Sequence, residues 1–405
     1  MRYFDYLSSE EENSLFYSAP TSFSNYSPKD ILAYAVGAAL YMPATREGIS
    51  DEILNRKIKG LVTKVIDLED AIGENQVPLA EESLCQQIWK VHSLITTGSI
   101  DSSHLPLIFI RVRNGEQLQR LIDTLGESIA VITGFTLPKF SMENGKQYFE
   151  IISSYNMKKP SSFPTLYGMP ILETADVIYL ESRTDTLLNI KSLLHEYKDF
   201  VLNVRIGATD FSSLFGLRRS PDMTIYDISV IRDCIADIVN MFGRFQDHFV
   251  ISGPVWEYFK SDRVLKPQLR QTPFEDAAGS DGRKLRMDYI NIYVDGLLRE
   301  VMLDKENGII GKTIIHPSHI LPVQSLYAVT HEEYCDALNI MEHNHGNLGV
   351  FKSQYKNKMN EIKPHLNWAD GILKRSKIYG VLNEHKNFTS LLIGQDEFAQ
   401  REAFV

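Results

Sequence analysis

What most constrains the fold of this chain is a recurrence. Apolar, β-branched runs, each closing on residues able to do chemistry, alternate with helix-length segments over most of its length. The clearest run is Val62–Ala71, in which Val-Thr-Lys-Val-Ile leads into Asp67, Glu69 and Asp70. Carboxylates are costly in a core, so a buried strand that finishes in them has reached the edge of a site. The same acids would suit a helix N-terminus, where the macrodipole favours negative charge. In isolation the two readings weigh equally; repetition of the pattern favours the first.

In order, the strand candidates are Ala35–Met42, Val62–Ile66, Pro106–Arg113, Ile129–Leu137, Thr165–Leu172, Phe200–Ile206, His248–Ser252 and Lys312–Ile315. Helical periodicity marks Leu79–Ile95, Gln117–Leu125, Asn144–Tyr155, Leu187–Tyr197, Ile228–Phe242 and Leu285–Asn307. Strands alternating with helices predict a parallel α/β architecture. An open doubly wound sheet competes, but no Gly-x-Gly-x-x-Gly follows the first strand. A TIM (β/α)8 barrel gathers the loops after its strands at one face. There Arg46, Glu69, Asp70, Arg111, Lys139, Glu173, Asp210 and His316 would meet, and their spread over many strand ends favours the barrel. The barrel is read over residues 31–325, with a polar insertion at 256–284. An N-terminal extension at 1–30 precedes it and a C-terminal helical region at 326–405 follows.

A net charge of −10 argues against a general nucleic-acid partner. Cys85, Cys234 and Cys335 are far apart and form no metal-ligand spacing, which fits a reducing compartment. The polar, acidic start is unlike a signal peptide, and Ile31–Met42 is too short to span a bilayer. The expectation is a soluble, cytoplasmic protein with no membrane partner.

Glu173 and Asp210 end successive strands in short polar turns. Paired hard carboxylates suit Mg²⁺, which takes one or two protein ligands and keeps waters. Alternatively each caps the following helix, with Thr174 and Ser212 sharing that work; spacing alone tilts slightly toward capping. Arg46, Arg111 and Arg113 follow or end apolar strands, where a guanidinium fork suits a carboxylic acid ligand and an ion pair to a neighbouring strand is the alternative. By strand period Arg111 and Arg113 share one face. His316, before Pro317, could hold substrate or act as a base, although a lone histidine there is more often a structural hydrogen bonder. His343-Asn-His345 has no further metal ligand at useful spacing. Arg263, Lys266, Arg270, Arg283 and Lys284 could grip a phosphate-bearing ligand, although a charged loop is usually solvated.

Taken in order, these strand ends resemble the HpcH/HpaI aldolase and citrate lyase beta-subunit superfamily over roughly residues 35–325. Met42-Pro-Ala-Thr-Arg46 resembles its first-strand Pro-x-x-Arg, and Ile66-Asp-Leu-Glu-Asp-Ala71 its Asp-Leu-Glu-Asp signature. Ile110-Arg-Val and Leu137-Pro-Lys139 also fit. Leu172-Glu-Thr174 and Gly207-Ala-Thr-Asp210 are similar to the turns that supply its Mg²⁺ ligands; Asp295-Gly-Leu297, Gly311-Lys312 and Ile315-His-Pro317 resemble its closing segment. The layout is closer still to a divergent C–C bond lyase branch associated with tellurite-resistance gene clusters.

The resemblance implies Mg²⁺ on Glu173 and Asp210, carboxylates neutralised by Arg46 and Arg111, and substrate contacts from Lys139, Gly207 and His316. Glu69 and Asp70 would orient metal-bound water or organise the arginines. The implied reaction makes or breaks a carbon–carbon bond of a keto or hydroxy acid, free or as its CoA thioester, through an enolate. A homo-oligomer, trimer or hexamer, is implied as well. CoA-ester lyases of the superfamily carry a Met-x-Asp-x-Pro-like stretch in the tail. Here Met359-Asn-Glu-Ile-Lys-Pro364 has no Asp and one extra residue, leaving Glu361 as the substitute. The rival readings are a phosphoenolpyruvate/pyruvate-type barrel lyase, which would want a reactive cysteine near a strand end, and a catalytically silent metabolite-binding barrel.

Overall fold

The computed structural model describes residues 1–259, 273–291, 294–345 and 349–392. Two compact units emerge: one comprises Met1, Phe23–Glu257 and Arg299–Ile320, the other Arg2–Ser22, Tyr258–Leu298 and Leu321–Val405.

The first unit is a closed barrel of eight strands: β1 (Ala38–Pro43), β2 (Thr63–Asp67), β3 (Leu107–Arg111), β4 (Gly134–Leu137), β5 (Tyr167–Leu172), β6 (Val204–Ile206), β7 (Ile251–Trp256) and β8 (Lys312–Ile314). Each strand pairs in parallel with the next, and β8 closes on β1 with Lys312 opposite Ala38. Every residue of β2 to β6 is buried, as expected where side chains meet the barrel interior on one face and helices on the other. The helix Gly115–Leu125 turns Leu118, Leu121, Ile122 and Leu125 inward at helical spacing, and the Asn114 side chain caps its start.

All eight expected strands are present, but some edges move. The Ile129–Leu137 run begins as a 3₁₀ segment, Gly126–Val131, and turns to strand only at Gly134. Likewise Lys198–Phe200 is 3₁₀ and the strand waits for Val204. Apolar runs report burial, which the 3₁₀ segment Gly126–Val131 and the residues Val201 and Leu202 ahead of β6 satisfy as well as a strand. Gly134 marks the true start, since a Cβ there would fall 2.0 Å from the Tyr167 carbonyl oxygen across the β4–β5 pair.

Behind β7 and β8 lies a buried charge cluster. Lys312 Nζ sits 2.7 Å from both Glu300 Oε1 and Asp304 Oδ2, and all three residues are fully buried. Arg219 completes it by pairing with Glu300 while stacking 4.6 Å over the Trp256 ring.

In the second unit, helices His331–Glu342 and Ile362–Tyr379 share a core of Val329, Ala337, Ile340, Ala369, Ile372 and Val381. The strand Phe16–Ser18 pairs antiparallel with Val381–Leu382, joining the chain's two ends. The hairpin Val350–Lys352/Met359–Glu361 is fixed to the buried Asp336, which accepts from Ser353 Oγ at 2.8 Å and Asn360 Nδ2 at 2.7 Å. The helix Pro273–Asn291 begins inside the insertion and runs past its end, kinked where Gly279 takes a φ of 54°. Arg263, Lys266 and Arg270 lie outside the described residues; Arg283 is ion-paired to Glu275 at 2.6 Å and Lys284 is exposed. Among the described residues no helix is long and apolar enough to cross a membrane.

Candidate active site

The barrel's strands end at one rim, where a cavity of about 350 Å³ opens; Asp67, Asp70, Arg111, Glu173, Arg205 and Asp210 are among its lining residues. Its organising group is Arg111. Sheet register sets Arg111 opposite Asp67, and their side chains meet at 3.4 Å. Arg111 Nη2 then reaches Glu69 Oε2 and Asp70 Oδ2, each at 2.9 Å, and Glu173 Oε1 at 3.5 Å. Burial disfavours the guanidinium charge, but these acids overcome it and hold Arg111 above its ordinary range. Arg113, two residues on, instead reaches the Leu68 and Glu69 carbonyls and pairs with Glu74.

Lys139, just past β4, adopts a φ of 47°, an uncommon conformation for a side-chain-bearing residue. The twist aims its N–H at Glu173 Oε1, 2.8 Å away, while Asn144 Nδ2 donates to its carbonyl at 2.9 Å. Its ammonium pairs with Glu69 and lies 3.3 Å from Asp70 Oδ1, which raises the lysine despite partial burial. Asp70 is held low: burial works against ionisation, but the Arg111 charge and contact with Glu69 outweigh it.

Glu173 behaves oppositely. Burial, opposed by Arg111 but reinforced by the charge of Asp210, pushes it up to about 8. Asp210, in the first turn of Ala208–Leu214, is also raised, chiefly by burial and then by Asp70. On the β5 side the capping alternative fails: Thr174, the N-cap of the following helix, makes no side-chain capping bond, and Glu173 is committed to Lys139 and Arg111. Gly207 serves Glu173 by having no side chain, since a Cβ there would lie 2.2 Å from Glu173 Oε2.

Four sequence candidates lie off the lining: Glu69 and Lys139, which are ion-paired to its Arg111 and Asp70, and Arg46 and His316. Arg46 is outside the cavity lining and pairs with Glu52, which also holds the buried Lys64 at 3.0 Å. His316 also lies off the lining; its Nδ1 accepts from the Ser318 N–H at 3.2 Å, capping the Pro317–His319 turn, and burial lowers its pKa. Conversely, the sequence reading passed over Arg205, Tyr41 and Thr313, all of which line the cavity. A charged residue inside the Val204–Ile206 strand was the available signal. Cys85 and Cys234 are buried with raised thiols, and no cysteine lines the cavity.

The donor set fits a divalent ion. Five carboxyls (Asp67, Glu69, Asp70, Glu173, Asp210) outnumber the two cations paired among them, Arg111 and Lys139, and burial raises both Glu173 and Asp210. Among the described residues no cluster of three or more His, Cys, Asp or Glu has metal-holding geometry. Two carboxylates remain sufficient for Mg²⁺, which retains several waters.

Fold and site together define an α/β barrel with an arginine-braced acidic cavity at the C-terminal rim of its strands, where barrel enzymes work. The chain belongs to the family of C–C bond lyases of the TIM-barrel fold, whose model matches residues 30–381. Its structure is similar to that of CitE from Mycobacterium tuberculosis, solved in complex with magnesium, acetoacetate and coenzyme A, at 20% identity and a TM-score of 0.50, covering 85% of this chain and 99% of that one. A citrate lyase from Burkholderia xenovorans LB400 is also similar, at 13% identity and a TM-score of 0.56, covering 88% and 96%. At such identities the likeness is one of fold. No protein of curated function matches the sequence.

Proposed function

We propose that this chain is a Mg²⁺-dependent lyase or aldolase that breaks or forms a carbon–carbon bond of a keto or hydroxy carboxylic acid. The observation that carries the reading is the Glu173–Asp210 pair, two neighbouring acids both raised, set in a cavity braced by Arg111. These two residues would hold the ion, which when bound supplies the positive charge that an enolate needs as it develops.

The chain's own groups do the rest. Lys139 N–H and Arg111 fix the Glu173 carboxylate through Oε1. Glu69 and Asp70 orient Arg111 and Lys139 rather than meeting substrate first, because their oxygens are already engaged by those cations. The apolar side chains of Ile171, Ile206 and Val255 on the cavity wall would lower the polarity around the reacting carbons.

Titration calorimetry with Mg²⁺ on wild type, Glu173→Gln and Asp210→Asn tests the ligand pair. Both variants should remain folded and lose metal affinity by at least about 100-fold, as expected for first ligands when even outer partners cost about 10–100-fold. Wild-type affinity in either variant removes the assignment.

A further inference from the structure

Eight lysines and arginines are buried among the described residues: Lys64, Arg111, Arg183, Lys191, Arg205, Arg219, Lys312 and Arg375. Seven have a carboxylate within ion-pair distance, as the cost of burying charge demands. Arg205 does not. Only 1% exposed, it donates from Nη2 to Thr313 Oγ1 at 2.7 Å, while Nε and Nη1 are buried without a hydrogen-bond partner. Its guanidinium carbon lies 5.7 Å from the Tyr41 ring centroid, a contact that steadies a cation without neutralising it.

Its place in the barrel matters as much as its missing partner. Arg205 lines the cavity and pairs in register with Ile171 on β5 and Ser252 on β7. It is therefore one layer deeper than Glu173 and Gly207, each two residues further along its strand. Two strand residues span about 7 Å, comparable to the reach of a short acid with groups at both ends. The other cavity arginine, Arg111, is committed to four acids. Arg46 is engaged with Glu52 outside the lining.

We propose that Arg205 is the substrate-binding cation of this site and that the natural substrate is a dianion. One carboxylate with its neighbouring oxygen would sit at the rim, and a second carboxylate would descend into the barrel to pair with the unpartnered N–H groups of Arg205. This rests on the lyase reading above and narrows it to dicarboxylic keto or hydroxy acids. It also sets the polarity of binding, with the bond-making carbons held between the acidic rim and the deep arginine.

The test uses Arg205→Met and Arg205→Lys beside wild type, with oxaloacetate and pyruvate as probes in saturating Mg²⁺. Wild type should bind oxaloacetate at least about tenfold more tightly than pyruvate, a conservative margin for a charge-assisted contact. Arg205→Met should erase that margin while leaving Mg²⁺ and pyruvate affinities within about twofold, and Arg205→Lys should keep part of it. Because the guanidinium has no carboxylate partner, the ligand-free melting temperature of Arg205→Met should equal or exceed that of wild type. An unchanged margin in Arg205→Met, no preference in wild type, or a lower melting temperature with the margin intact overturns the assignment. A separate arm in EDTA uses malonate, a diacid without a keto group: it should raise the melting temperature of wild type and not of Arg205→Met. Failure of Mg²⁺ to bind wild type would sink the metal reading alone; failure of malonate to discriminate the two proteins would sink the Arg205 clamp alone.

Discussion

Replacing Gly207 with alanine is the sharpest probe of how the site is held. The added methyl would lie 2.2 Å from Glu173 Oε2 and 2.5 Å from Glu173 Cβ, whereas ordinary contact begins at 3.4 Å. Rotation can swing the carboxylate oxygen aside, but Cβ is fixed to the backbone just past β5 and cannot move away. Relief therefore requires backbone or side chain to retreat by about 1 Å, a displacement on the scale that costs about 100-fold in a positioned site. The Gly207 N–H donates to the Leu172 carbonyl at 3.0 Å, so separating β5 from β6 would cost that bond too. Gly207 has a φ of −99°, which any residue adopts, so the clash is the whole effect. Metal ligand distances are kept to about 0.2 Å, and we expect Gly207→Ala to weaken Mg²⁺ binding by about 100-fold in titration calorimetry. Overpacking costs about 1–3 kcal/mol, so urea denaturation should show a folded protein with a modestly lower midpoint. A folded Gly207→Ala with wild-type Mg²⁺ affinity would refute the role given to Glu173.

Three further outcomes follow from the same contacts. Arg111→Met removes the common cation of Asp67, Glu69 and Asp70 and should cost about 3–5 kcal/mol in urea denaturation; a loss under about 1 kcal/mol would mean that these acids are neutral in the folded protein. Lys312→Met leaves Asp304 without a cation and Glu300 with Arg219 alone, and should destabilise by a similar amount, yet Mg²⁺ affinity, measured below the unfolding transition, should hold because the cluster lies outside the cavity lining. Glu173 and Asp210 are raised in the folded protein, so it retains protons that the unfolded chain releases. In EDTA their contribution to stability is therefore full below the ordinary carboxylate range and drains away as pH climbs from about 4.5 through about 8. Stabilisation by Mg²⁺ should grow over that window, and melting curves showing the reverse trend would reject the paired-acid account.

How much of this was legible beforehand differs by residue. The strand ends carrying Asp67, Arg111, Glu173 and Asp210 could be read directly, because burial periodicity and a switch to charge are local properties of the chain. Strand starts at Gly134 and Val204 could not, since a buried apolar run reads the same in a 3₁₀ turn or a connecting segment as in a strand. Three cations interrupt apolar strands, and in sequence they look alike: Lys64, Arg205 and Lys312. Glu52 answers the first, and Glu300 with Asp304 the third, both from helices packed on the barrel; among the described residues no carboxylate answers Arg205. Arg46 presents the reverse case, a well-placed motif arginine whose side chain goes to Glu52.

The sequence by itself determined the number, order and direction of the barrel strands and the acids at their ends, because a strand buried on both faces must be apolar until it reaches water. Only the tertiary structure decided which charges are spent on one another and which one is left open. Partners such as Arg219 with Glu300, or Arg205 with Thr313, are separated by 81 and 108 residues. Closing the barrel is what brings such groups together, and the desolvation that closure imposes makes an unpaired charge costly enough to mark a binding site.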